Sequence, residues 1–153
     1  MLVVEDNPGD AVLFQAFFQQ RERKTEFFLV DDGEQALDFL HHQGAHPHSP
    51  RPDLIVMDVN IPKIDGKDLV KEIKLDPSLR SIPIIVLTSS ENEEDVRACY
   101  ENGANCVLIK AGDVDEASRV FELIESFWVN TVRLVPAKEE HSPLENSQVS
   151  LAT

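Results

Sequence analysis

Short apolar runs alternate with helix-period patterns along most of this chain. Runs at 2–4, 27–30, 54–57, 84–87 and 107–109 are built from Leu, Val, Ile, Phe and Met. Apolar character at every successive position suits strands buried on both faces of a parallel sheet. Polar punctuation closes them, with Glu5-Asp6 after the first and Asp31-Asp32-Gly33 after the second. Between the runs, Val12, Leu13, Ala16 and Phe17 mark a helix over 9–22, and Ala36, Leu37 and Leu40 mark one over 34–41. Leu69, Val70 and Ile73 mark a third over 67–75, and Val96, Cys99 and Tyr100 a fourth over 93–102. The last helix is expected to begin near Asp113 and to run past Trp128. Five strand–helix units in succession predict an α/β domain, doubly wound, with a five-stranded parallel sheet covered by helices on both faces.

Two segments stand outside the alternation. The stretch 41–52 is polar and rich in His and Pro, so a surface loop is expected. The stretch 136–153 holds too few apolar residues to offset the entropy of ordering it. The expected organisation is one domain over 1–135, with an extended C-terminal helix, and a flexible polar tail over 136–153. With only four residues before Glu5, the first strand is short for a central position, and the N-terminus is expected to be trimmed.

Composition narrows the function classes. The chain has 153 residues, 42% of them hydrophobic, which is enough for one domain with its own core. A formal net charge of -14 repels nucleic acid phosphates and anionic lipid heads, so neither nucleic acid nor a membrane is an expected partner. No apolar run approaches the ~20 residues that span a bilayer. Cys99 and Cys106 lack metal or redox spacing and are expected to be free thiols, with the cytoplasm as the compartment.

In an open parallel sheet, ligands bind beyond the carboxyl ends of the strands, where the strand order reverses. The residues there are Glu5 and Asp6 after the first strand, Asp58 and Asn60 after the third, Thr88 after the fourth and Lys110 after the fifth. Carboxylates gathered together repel one another unless a cation sits between them, and Mg²⁺ is the hard cation that takes both carboxylate and phosphate oxygens. A carboxylate can also accept a phosphoryl group, with a lysine and a hydroxyl as donors to the transferring oxygens. Acidic residues after strands also cap the next helix, which is the plainer explanation for any one of them alone.

The segments Val4-Glu5-Asp6-Asn7-Pro8, Met57-Asp58-Val59-Asn60-Ile61-Pro62, Asp65-Gly66, Leu87-Thr88-Ser89 and Lys110 together resemble the response-regulator receiver family. The resemblance covers Leu2 to about Phe127. It implies a flavodoxin-like fold with strand order 2-1-3-4-5 and makes Asp58 the phosphoacceptor. Asp6 and Glu5 become Mg²⁺ ligands, Glu5 through water. Asn60 offers its backbone carbonyl to the metal, and Thr88 and Lys110 engage the phosphoryl group. A histidine kinase is the implied partner, and catalysis is limited to self-phosphorylation and self-dephosphorylation. The stretches Glu5-Asp6-Asn7-Pro8-Gly9-Asp10, 32–40 and Phe127-Trp128 with 131–134 are similar to the small regulators paired with bacterial phytochromes.

Two positions depart from the family. Ala111 stands where most receivers carry a proline whose peptide bond is usually cis; a cis bond before alanine costs about 2.5–4 kcal/mol, so a trans bond and a reshaped loop are expected. Val107 replaces the usual Tyr or Phe and is too short and stiff for that ring's inward swing, so the switch leans on Thr88 and backbone motion.

Two rival functions use the same residues. A Mg²⁺-dependent phosphohydrolase also has an aspartyl nucleophile after a strand. Such enzymes typically place an acid two residues on, where this chain has Asn60, which cannot move a proton. A receiver that only binds partners is favoured by Ala111 and Val107 and disfavoured by Asp6, Asp58 and Lys110. The loop histidines His41, His42, His46 and His48 are a weak candidate for a metal site. The last helix is apolar around too much of its circumference, with Phe127, Trp128 and Leu134 prominent. An exposed patch, and a homodimer built on it, are expected unless the extension folds back on its own domain.

Overall fold

The structure is a computed structural model that describes residues 1–21, 25–110 and 112–136. Five strands, β1 (Leu2–Val4), β2 (Phe28–Val30), β3 (Ile55–Met57), β4 (Ile84–Thr88) and β5 (Cys106–Ile109), alternate with five helices. The helices are α1 (Pro8–Gln19), α2 (Gly33–Leu40), α3 (Gly66–Leu75), α4 (Glu93–Glu101) and α5 (Val114–Leu123). All strand pairs are parallel and the order is β2-β1-β3-β4-β5. The end of the expected first helix at Glu22, the Lys110–Ala111 peptide bond and residues 137–153 of the expected tail lie outside the described residues.

The strands are short; β1, β3 and β4 are buried on both sides, so their alternating residues feed two cores, whereas the edge strands β2 and β5 leave Leu29 and Ile109 exposed, unlike the sequence expectation, because each has a neighbour on one side only. Leu2, Val4, Ile55, Met57, Ile84 and Val86 face α2, α3 and α4, meeting Ala36, Phe39, Leu69, Val70, Ile73 and Cys99. Val3, Val56, Ile85 and Leu87 face the other way, toward Phe14 and Phe18 of α1 and Phe121 and Ile124 at the end of α5. Phe14 and Phe121 meet edge to face, with ring centroids 5.1 Å apart. Each fully buried aliphatic or aromatic side chain here contributes roughly 1.5–3 kcal/mol. Continuous apolar runs were required for this arrangement, because in-register neighbours such as Val3, Val56 and Ile85 have no water-facing side.

Helix starts are set by side chains that follow the strands. Asn7 accepts from the backbone N–H groups of Gly9 and Asp10, with Pro8 at the first helical position. Asp32, Asp65, Asn92 and Asp113 cap α2, α3, α4 and α5 in the same way. Each such cap stabilises a helix by about 1 kcal/mol.

The last helical run starts after Asp113 and passes Trp128, as expected, but it is not α-helical throughout. After Leu123 the chain widens into a π-helical stretch, Ile124–Val129. Ile124 is buried, and Trp128, Val129 and Leu134 pack against the α1–α5 core, so one side of the extension, but not all of it, is covered by its own domain. Leu123 (61%) and Phe127 (54%) remain exposed, a smaller apolar strip than the sequence suggested. The loop after α2 is organised by its own bonds: Gln43 N–H donates to the Asp38 carbonyl, and Ser49 Oγ lies 3.1 Å from His42 Nδ1. His46 stacks edge-on to Phe39. The loop histidines do not form a ligand group among the described residues.

Candidate metal centre

The chain leaves β1 toward β2 on one side and returns to β3 on the other, so the strand order reverses between β1 and β3. Glu5 and Asp6 emerge from β1 at this point, and Asp58 emerges from β3 beside them. The Asp58 backbone N–H donates to the Val4 carbonyl at 3.0 Å, which extends the ladder one residue and sets the two loops against each other. One carboxylate oxygen from each of Glu5, Asp6 and Asp58 lies within 4.8 Å of the others. Glu5 and Asp58 are buried and Asp6 is exposed.

Lys110 reaches this cluster from the end of β5. Its backbone N–H donates to the Thr88 carbonyl at 2.7 Å, which carries the strand past the end of β4. Its Nζ donates to Glu5 Oε2 at 2.7 Å, to Asp58 Oδ2 at 2.7 Å and to Asp10 Oδ2 at 2.8 Å. Burial opposes the Lys110 ammonium, but its hydrogen bonds to Asp10, Asp58 and Glu5 outweigh it and hold its pKa above the usual lysine value. Burial pushes the Glu5 carboxyl up, further than Lys110 and the Asn7 N–H draw it down. Glu5 Oε1 accepts that Asn7 N–H at 3.0 Å.

The Asp58 carboxylate is fixed on both oxygens, since Oδ1 accepts the Asn60 backbone N–H at 3.0 Å and Oδ2 holds Lys110. Behind it, Gly66 donates its N–H to the Val59 carbonyl at 3.0 Å. A Cβ at Gly66 would stand 2.6 Å from Val59 Cα and 2.7 Å from the Asp58 carbonyl oxygen, so only glycine lets α3 start this close to the loop. The cleft in front measures about 820 Å³ and takes in Glu5, Asp6, Asp10, Asp58, Asn60, Ser89 and Lys110. It continues inward along Leu13, Phe14 and Phe121.

Four carboxylates therefore face one ammonium. That excess of negative charge, presented by hard oxygen atoms and open to water at Asp6, fits a divalent cation such as Mg²⁺. Thr88 is placed differently. It is buried at the end of β4, and its Oγ1 accepts the Ser90 N–H at 3.1 Å; Ser89, not Thr88, borders the cleft among the described residues. Val107 is half-buried, and its backbone N–H donates to the Tyr100 hydroxyl at 3.1 Å.

In the sequence, Asp10 falls within the stretch similar to one branch of the family and carries no site role of its own. The signal that marks it is positional. It stands in the first turn of α1, and the start of α1 borders the same sheet edge as Glu5 and Asp6.

The family model for the response regulator receiver domain matches residues 1–122. Response regulator Rcp1 of Synechocystis sp. is 42% identical over 137 residues, which are 90% of this chain and 93% of that protein. The solved Mn²⁺-bound form of Rcp1 superposes with a TM-score of 0.84 at 43% identity, covering 89% of this chain and 97% of that one. The phosphorylated cyanobacterial phytochrome response regulator RcpA superposes with a TM-score of 0.84 at 37% identity, covering 87% and 95% of the two chains. With four-fifths of its length matched by the family model and the 2-1-3-4-5 sheet in place, the chain belongs to the response regulator receiver domain family, and within it is similar to cyanobacterial phytochrome response regulators.

Proposed function

We propose that this chain is a single-domain response regulator that accepts a phosphoryl group on Asp58 and signals through altered protein binding. The observation that carries the reading is the convergence of Glu5, Asp6 and Asp58 on one another, with Lys110 Nζ 2.7 Å from Asp58 Oδ2. Asp6, Asp58 and the Asn60 carbonyl would hold Mg²⁺, with Glu5 acting through water. The ion would supply charge neutralisation between the carboxylates and the incoming phosphoryl oxygens. An Asp58 carboxylate oxygen attacks phosphorus as the bond to the donor's leaving group breaks, which gives an aspartyl-phosphate. Lys110 donates to a phosphoryl oxygen and offsets the charge that builds there. For Thr88 to follow the phosphoryl group, its hydroxyl must give up the Ser90 N–H, and that exchange would pass the signal into the loop ahead of α4.

The phosphodonor is read as a histidine kinase, and the similarity to a phytochrome response regulator favours a phytochrome-type kinase. No described helix is long and apolar enough to cross a membrane, and the charge of -14 disfavours nucleic acid. The chain is read as a cytoplasmic switch that turns over no external substrate. The exposed Leu123 and Phe127 would be covered by a second copy, in a homodimer on α5 and its extension.

Intact mass after incubation with Mg²⁺ and acetyl phosphate tests the reading. The expected result is one added phosphoryl group, absent from Asp58→Asn. Unlimited phosphate release would indicate a phosphohydrolase instead, and no adduct would indicate a receiver that only binds partners.

A further inference from the structure

Lysine has three N–H donors, and at Lys110 all three are taken by carboxylates, from Glu5, Asp10 and Asp58. A saturated ammonium has no donor left for a phosphoryl oxygen, so one carboxylate must let go when the oxygen arrives. The three are unequal. Asp58 is the group being modified. Glu5 is 8% exposed, and its other oxygen holds the Asn7 N–H. Asp10 is 44% exposed, hydrogen-bonds through its carboxylate to Lys110 alone among the described residues, and lies outside the Glu5–Asp6–Asp58 trio. Its carboxylate can turn to water at little desolvation cost, whereas a buried Glu5 released from Lys110 would be left with an uncompensated charge.

We infer that Asp10 is a positioning residue that tethers Lys110 in the resting protein and competes with the phosphoryl group for it. This rests on the reading of Asp58 as phosphoacceptor. The tether comes from the start of α1, where the Asn7 side chain accepts the Asp10 N–H at 3.2 Å and fixes where the carboxylate begins. Asp10 thus sets the balance between the two states of the switch without itself touching the metal or the reacting atoms. Its charge also stands against any anion entering beside Lys110.

The test uses the full chain and its Asp10→Asn variant, with fluoroberyllate as a phosphoryl mimic that attaches to Asp58 and is titrated calorimetrically in saturating Mg²⁺. Asp10→Asn is expected to bind fluoroberyllate roughly three- to tenfold tighter, the scale of one partly exposed charged contact. Mg²⁺ alone is expected to bind no tighter, because the field of one carboxylate is lost. A merely structural role would weaken both ligands or leave both unchanged. Fluoroberyllate binding that is equal or weaker in Asp10→Asn overturns the inference. The tether is also tested without any ligand, through urea midpoints of Asp10→Asn, Lys110→Met and the double variant. Non-additive shifts are expected, and additive shifts overturn it. Failure of the wild-type protein to take fluoroberyllate in Mg²⁺ would be visible separately, would defeat the phosphoacceptor reading, and would take this inference with it.

Discussion

At the scale of the residue, the acidic cluster trades stability for a binding site. Asp6 has no hydrogen bond to Lys110 and adds a third carboxylate beside Glu5 and Asp58. Replacing it by Asn should raise metal-free stability by on the order of 1 kcal/mol through relieved repulsion. The same change should weaken Mg²⁺ at least about tenfold through the loss of a direct ligand. Urea denaturation without metal and Mg²⁺ titration of the same variant check both signs; a variant that loses stability without metal contradicts the repulsion argument. Asp32 behaves in the opposite way. Burial opposes its charge, but hydrogen bonds from Lys63 and Gln35 win and hold its pKa below the usual carboxylate value. Its stabilisation is therefore full above the unfolded pKa of about 3.8 and is lost as pH falls through the folded value. Asn at position 32 keeps the helix cap but cannot titrate. The gap in urea midpoint between wild type and Asp32→Asn should hold steady from pH 7 to about pH 4 and shrink only as pH falls below 3.8. The cluster residues Glu5, Asp6, Asp58 and Lys110 were legible in the sequence because each follows an apolar run. Asp10 was not, because an acid in the first turn of a helix is commonly only a favourable charge on the dipole.

At the scale of the element, the site depends on how closely loops pack behind it. Gly66→Ala would drive a methyl group into Val59 and the Asp58 carbonyl, displacing the proposed phosphoacceptor. The expected outcome is slower phosphorylation from acetyl phosphate together with a stability loss of about 1–3 kcal/mol; wild-type rates would show that the loop has slack. Phe14→Ala should cost about 3–5 kcal/mol, since Phe14 is buried against Phe18, Phe27 and Phe121. The helices were legible from apolar spacing, and the structure shows that Asn7, Asp32, Asp65, Asn92 and Asp113 cap their starts. The π-helical turn after Leu123 was not, because an α-period pattern does not register the wider turn. That turn helps bring both Trp128 and Val129 against the core, which explains why the apolar surplus of the sequence is partly used within the chain.

At the scale of the molecule, the sheet order brings the loops after β1, β3 and β5 together at one edge. Periodicity pointed to five parallel strands, but their order came only with the family resemblance, since strand runs carry no label of their neighbours. The net charge of -14 means that a bound divalent ion should stabilise the whole domain. Mg²⁺ at a hundred times its dissociation constant adds about 2.7 kcal/mol, so chelation should lower the melting temperature by several degrees. An unchanged melting temperature would argue against a resident ion. Sedimentation at tens of micromolar, a rough scale for such interfaces, tests the homodimer: a dimer that Phe127→Glu dissociates is expected, and a wild-type monomer contradicts it.

Of the four carboxylates facing Lys110, that of Asp58 alone is proposed to take the phosphoryl group. Borohydride reduction of the protein after treatment with Mg²⁺ and acetyl phosphate, followed by peptide mass mapping, tests it most directly, because reduction turns an acyl-phosphorylated aspartate into homoserine. Homoserine is expected at position 58 alone. Reduction product at Glu5, Asp6 or Asp10, or at none of the four, would contradict it.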